Sequence, residues 1–119
     1  MNIKLKSLRS LELEDSLVCY WPDNPKNFGS WVRTMIGPEN HEGAESFDWF
    51  ICTPNWLQQE LIKNNVLFGK GMIIVAEYDY DQILTQLEQK IRLCDDSDWS
   101  KASLKLSRFS FWEYEDYQG

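Results

Sequence analysis

The side chains able to carry out acid–base or covalent chemistry are few and scattered in this 119-residue chain. His41 is its single histidine and lies in a polar run, residues 39–43, between Glu39 and Glu42. Catalysis needs a nucleophile, a base and a group that stabilises developing charge, and a transition-metal site needs several imidazole or thiolate donors. Cys19, Cys52 and Cys94 are odd in number, far apart and without a CxxC pair. Neither a disulfide framework nor a zinc site is expected from them, and they read as small buried thiols of a reducing compartment. The pairs Asp79/Asp81 and Glu113/Glu115 have the chemistry to divide acid and base roles. The same types at the same spacing also serve as helix caps and strand-edge charges. Gly69 and Gly71 flank Lys70, but they do not form GxxxxGK[ST] and they precede an apolar strand-like run, so phosphate binding is rejected. No catalytic residue, metal ligand or cofactor is assigned, and the chain is not expected to be an enzyme. A small carboxylate-based hydrolase is the catalytic alternative.

What the sequence does concentrate is acid beside ring. Glu77, Asp79, Asp81, Glu88, Asp95, Asp96 and Asp98 fall between residues 77 and 98 against only Lys90 and Arg92. Glu113, Glu115 and Asp116 are interleaved with Trp112, Tyr114 and Tyr117. Rings supply contact area at little cost in rotamer entropy and carboxylates pair with Arg or Lys, so such clusters suit a protein interface. Trp112 and Tyr114 are equally good material for a core.

These groups must be held by a fold, and its centre is legible at residues 45–57. Phe47, Trp49, Phe50, Ile51 and Cys52 put apolar side chains on both faces of an extended segment, as in a central strand covered on two sides. Thr53 and Pro54 stop it and start a helix, with the threonine hydroxyl expected to accept from a free helical N–H. Residues 3–13 alternate and read as a half-exposed strand, 19–27 as a loop with two prolines, and 28–36 as a second strand ended by Gly37 and Pro38. This second strand is expected to run antiparallel beside the central one. Trp56, Leu57, Leu61 and Ile62 recur at helical intervals, and residues 72–76 read as a further buried strand; if it lies parallel to the central one in the same sheet, the crossover between them is expected to be right-handed. Asp79 or Asp81 can cap a helix whose stripe is Ile83, Leu87, Ile91 and Cys94. Ser97 or Asp98 can cap a shorter one presenting Trp99, Ala102 and Leu106. Residues 109–117 read as a last strand with an acidic tail. The expected class is α+β: a single domain over residues 1–119, with a mixed or antiparallel sheet of about four to five strands packed by two to three helices.

Length allows one modest core, and six Trp, five Tyr and six Phe can fill it. Residues 1–10 carry Lys4, Lys6 and Arg9 with no apolar core behind them, so no secretory signal is expected, and no apolar run is long enough to span a bilayer. A cytoplasmic protein without a membrane partner is anticipated. The net charge of −7 disfavours a nucleic-acid ligand, which needs a basic face. It suits a basic protein partner, or serves solubility alone.

Several pieces taken in order resemble the bacterial immunity protein 8 family: Ile36-Gly37-Pro38, Phe47-Asp48, Cys52-Thr53-Pro54-Asn55-Trp56-Leu57, Glu77-Tyr78-Asp79, Trp99, and Trp112-Glu113-Tyr114-Glu115-Asp116-Tyr117. The likeness runs from about residue 36 to residue 117. The family's usual ending is WEFEDY, and this chain carries Tyr114 in the phenylalanine position. The resemblance implies an α+β domain made beside a polymorphic or contact-dependent inhibition toxin to protect the producing cell by binding it. Trp56, Trp99, Trp112 and Glu113 are implied to define the fold. Because an acidic inhibitor suits a basic nuclease, the expected toxin contacts are Asp79, Asp81, Asp95, Asp96, Asp98, Glu113, Glu115, Asp116 and Tyr117. The partner is then the toxin's C-terminal domain. A generic protein-interaction adaptor is the remaining alternative, and oligomeric state is left open.

Overall fold

Alternation in residues 29–38 and 45–52 decides the architecture, because the two strands pair antiparallel with Val32 opposite Trp49 and Thr34 opposite Phe47. Directly opposed residues share a face, so Val32, Thr34, Ile36, Phe47, Trp49 and Ile51 form one surface of the sheet. Trp31, Arg33, Asp48 and Phe50 form the other. In the computed structural model, which describes residues 1–13, 16–17 and 20–115, the elements run β1 (Ile3–Ser10), β2 (Gly29–Pro38), β3 (Glu45–Cys52), α1 (Pro54–Asn64), β4 (Met72–Ile74), α2 (Tyr80–Leu93), α3 (Trp99–Leu106) and β5 (Phe111–Trp112). The strand order is β1-β2-β3-β4, with β5 also on β3. The far edge of β3 is therefore shared: β4 pairs parallel with residues 50–52, and β5 antiparallel with Phe47 and Asp48. This is the α+β class, one mixed five-stranded sheet with three helices.

The inner face is closed by α2 and α3. Val32, Trp49 and Ile51 meet Ile83 and Leu87 in one cluster, while Ile36 and Phe47 meet Ile91, Cys94, Ala102 and Leu106 in the other. Each such side chain, fully withdrawn from water, contributes roughly 1.5–3 kcal/mol. The anticipated stripe of α2 is the one it buries, and its cap is Asp79, whose carboxylate accepts from Gln82 N. Asp98 caps α3 in the same way through Lys101 N. One polar group enters this core satisfied: the Thr34 hydroxyl donates to Phe47 O and accepts from Trp49 Nε1, each at 2.9 Å.

Several boundaries differ from expectation for physical reasons. Gly37 and Pro38 do not end the second strand. It continues opposite Lys4 and Ile3, and Gly37 is required because the 39–43 loop folds back so closely that a Cβ would lie 2.3 Å from Gly43 O. The first strand stops at Ser10 rather than Leu13, since Ser10 Oγ accepts from the N–H of Glu12 and of Leu13 and turns the chain. Thr53 occupies the cap position of α1, yet its hydroxyl makes no cap bond. It bonds Phe28 N and O instead and ties the start of β2 to the end of β3. No residue of α1 is buried, because this helix reaches the outer face of the sheet through its first turn. There Trp56 lies on Gly29 and against Phe50, with ring centroids 4.6 Å apart. The strand expected at 72–76 is three residues long and half-exposed, being at an edge with β3 as its only strand neighbour. The final strand is reduced to Phe111 and Trp112. Cys52 and Cys94 are buried free thiols, and burial pushes Cys52 up to about 11. Cys19 lies outside the described residues.

Candidate functional site

The expected acidic contacts do not form one surface. Asp79 and Asp81 sit at the start of α2, and Asp95, Asp96 and Asp98 follow its end. The rest of α2, residues 82–93, separates the two groups, on the order of 20 Å at 1.5 Å per residue. Glu113 and Glu115 are on the far edge of the sheet, after β5. Asp116 and Tyr117 lie outside the described residues.

Most of these carboxylates have structural work. Asp95 accepts from Asp96 N, Asp96 from Ser97 N, and Asp98 from Lys101 N. Lys105 Nζ then reaches Asp96 Oδ2 at 2.8 Å and Asp95 O at 3.3 Å. The hydrogen bond from Lys105, helped by Ser97 N–H, holds the Asp96 carboxyl down at about 2. Glu113 brackets Ser46: its carboxylate accepts from Ser46 N at 2.7 Å and its own N–H donates to Ser46 O. Glu115 is ion-paired with Lys70, whose ammonium also lies over the Phe111 ring. The Trp-Glu pair at 112–113 is thus a clasp on β3, with Trp112 stacked on Phe47 at 6.1 Å. Trp99 meets Phe47 edge-on and donates to Glu45 at 2.5 Å.

The beginning of α2 is different. Tyr20, Trp21, Pro25, Glu77, Tyr78 and Asp79 line a groove of about 510 Å³ that also takes in Tyr80 and Asp81. Its floor is a knot of rings, with Tyr20 edge-on to Tyr78 at 5.6 Å and Phe28 against Tyr78 at 4.7 Å. The buried Tyr78 hydroxyl donates to Leu17 O, and burial raises it to about 12. This knot fixes the 20–28 loop against α2 and leaves Trp21 projecting, 73% exposed. Glu77 and Asp81 are exposed and have no hydrogen-bond or ion-pair partner among the described residues. A ring face next to two carboxylates has the chemistry to take an Arg or Lys side chain, through cation–π contact and charge-assisted hydrogen bonds. From the sequence, Asp79 and Asp81 are among the expected contacts, whereas Tyr20 and Trp21 read only as loop. The Trp-Pro step inside a polar turn was the available signal, since a tryptophan has little reason to sit in a loop unless it is anchored or used.

The outer face of the sheet carries a second ring-lined depression. Trp31 packs edge-on against both Phe50 and Phe111, at 5.3 and 5.8 Å, and Phe68 beside them is 89% exposed. Next to these rings Arg33 forks onto Asp48 at 2.8 and 2.9 Å, and that bond raises the guanidinium's already high pKa. His41 is exposed in its loop, and no group of three or more His, Cys, Asp or Glu among the described residues could hold a metal. Among those residues no helix is long and apolar enough to cross a membrane.

A small α+β domain, one mixed five-stranded sheet packed by helices, with rings and carboxylates gathered on its surface, is the class these features define. The family model described as immunity protein 8 matches residues 3–117, and the chain belongs to that family. The match extends to the first strand, beyond the region where the sequence motifs are most readily recognised. No curated protein and no solved structure matches the chain.

Proposed function

We propose that this immunity protein neutralises a cognate bacterial toxin domain in the cytoplasm of the producing cell by binding it one to one. On this reading the toxin is the C-terminal domain of a polymorphic or contact-dependent inhibition system and a basic nuclease, and the inhibitor covers its active or substrate-binding site. The single observation that carries the reading is the groove at the start of α2, where Glu77 and Asp81, without a hydrogen-bond or ion-pair partner among the described residues, stand beside the exposed Trp21. A basic phosphate-binding cleft offers the Arg and Lys side chains that such a groove accommodates, and the surplus acid on the rest of the chain steers the encounter. Of the expected contacts, Asp81 is therefore the leading one, with Asp79 beside it engaged as the cap of α2. Asp95, Asp96, Asp98, Glu113 and Glu115 contribute charge from structural positions.

Calorimetric titration with the toxin domain encoded beside this chain tests the proposal. A stoichiometry of one and a dissociation constant of about nanomolar order are expected, as for tight standard-size interfaces. The pair Trp21→Ala and Asp81→Lys should weaken binding about thirtyfold or more, the scale of a hot-spot loss. Absence of binding at physiological salt overturns the reading. Protection by substoichiometric amounts would mark a small carboxylate hydrolase acting on the toxin, and capture of several host proteins would mark an adaptor.

A further inference from the structure

The chain has nineteen acids and twelve Lys and Arg, and four of these cations form ion pairs among the described residues: Arg33 with Asp48, Lys63 with Glu60, Lys70 with Glu115 and Lys105 with Asp96. Lys90 and Arg108 have no carboxylate partner among the described residues, and both line the same cavity. It lies between α2 and the β4 edge and measures about 370 Å³. Its apolar lining includes Trp49, Ile73, Leu87 and Phe109. Trp49 is 2% exposed and its Nε1 is already engaged with Thr34, so it offers the cavity carbon only. The Lys90 ammonium lies 3.7 Å from the centre of the Phe109 ring, which occupies one side of it and leaves N–H donors on the other. Arg108 presents an exposed, forked set of donors.

We infer that this cavity binds a carboxylate borne on an apolar body, with Lys90 and Arg108 holding the acid group and Trp49, Leu87 and Phe109 taking the body. An arginine fork matches a carboxylate in bidentate fashion. A phosphate fits less well: the Gly69-Lys70-Gly71 turn leads into a strand rather than a helix N-terminus, and a dianion over an apolar floor is costly to desolvate. The site lies beyond the acidic groove along α2, Lys90 being nine residues, on the order of 14 Å, past Asp81. The carboxylate can arrive on a free organic acid or on an acidic side chain of the toxin, and the two sources separate experimentally.

Phenylacetate titrated into the full chain, with no toxin present, should bind saturably with a dissociation constant on the order of 1 mM. The double variant Lys90→Gln, Arg108→Gln should weaken it about tenfold or more. On the wild-type chain phenylacetate should move the nuclear resonances of the Trp49 ring and the Arg108 guanidinium and leave those of Trp21 in place. This second readout stands even if the double variant folds poorly. If phenylacetate does not bind but the double variant loses about tenfold in affinity for the toxin domain, the carboxylate comes from the toxin and the site is upheld. Resonance shifts at Trp21 instead of Trp49, or a folded double variant indistinguishable from wild type in both titrations, overturn the inference. Because the first arm needs no toxin, its result is independent of whether the proposed toxin binding is right.

Discussion

On the sheet face turned toward α2 and α3, Val32, Ile36, Phe47, Trp49 and Ile51 are at most 2% exposed. On the opposite face Trp31 is half-buried and Phe111 is 37% exposed, while Phe68 beside them is 89% exposed. Both faces are aromatic, so composition does not separate them. The difference lies in what covers each: two amphipathic helices close the first, whereas α1 touches the second only through its opening turn. A polar group shows the same contrast. Thr34, on the closed face, is satisfied entirely by neighbouring protein atoms, while Arg33 and Asp48, one pleat away, pair with each other at a partly exposed position. The closed face holds the fold, and the open face and the start of the 20–28 loop are where rings stay exposed.

If that division is right, truncations on the two faces should differ several-fold. Phe47→Ala should cost about 3–5 kcal/mol in urea unfolding, the range for a buried Phe, whereas Phe68→Ala should stay within about 0.5 kcal/mol. Equal costs would break the comparison. Thr34→Val should cost about 1–3 kcal/mol, because Trp49 Nε1 and Phe47 O lose their partner inside the core. A neutral result would mean water reaches the closed face. Gly29→Ala probes the junction with α1: its Cβ would stand 2.5 Å from the Trp56 ring, and a loss of about 1–3 kcal/mol is expected from overpacking, with a change in tryptophan fluorescence as Trp56 is displaced. The smallest effect belongs to the surface pair of Asp96 and Lys105. Asp96 is held at about 2 against its ordinary 3.8, so its contribution is complete above the ordinary value and is lost as pH falls between the two. Lys105→Met should therefore be less stable than wild type near neutrality, and the gap should close as pH falls through that window.

Much of this could be read along the chain. The two-sided apolar run at residues 45–52 identified a central strand because side-chain alternation is a local property, and the fourfold recurrence of Ile83, Leu87 and Ile91 identified a buried helix face for the same reason. The caps were legible to within a choice of two, Asp79 or Asp81 and Ser97 or Asp98, since capping involves only the next few residues; the structure uses Asp79 and Asp98. The stripe of Trp56, Leu57, Leu61 and Ile62 identified α1, but periodicity states which side chains share a face and not whether anything covers it. The acidic stretch misled in a related way: seven acids close in sequence are split by a helix, and several are already bonded to backbone N–H groups or to Lys105.

The sequence alone determined the elements, their order and the surplus of acid and ring, because these follow from short-range geometry and from composition. Only the tertiary structure decided which face of the sheet is left open, that Trp21 stands beside Glu77 and Asp81, and that Lys90 and Arg108 line one cavity with no carboxylate partner among the described residues. Each of those facts depends on contacts between segments far apart along the chain, and no local pattern of residues encodes a distance of that kind.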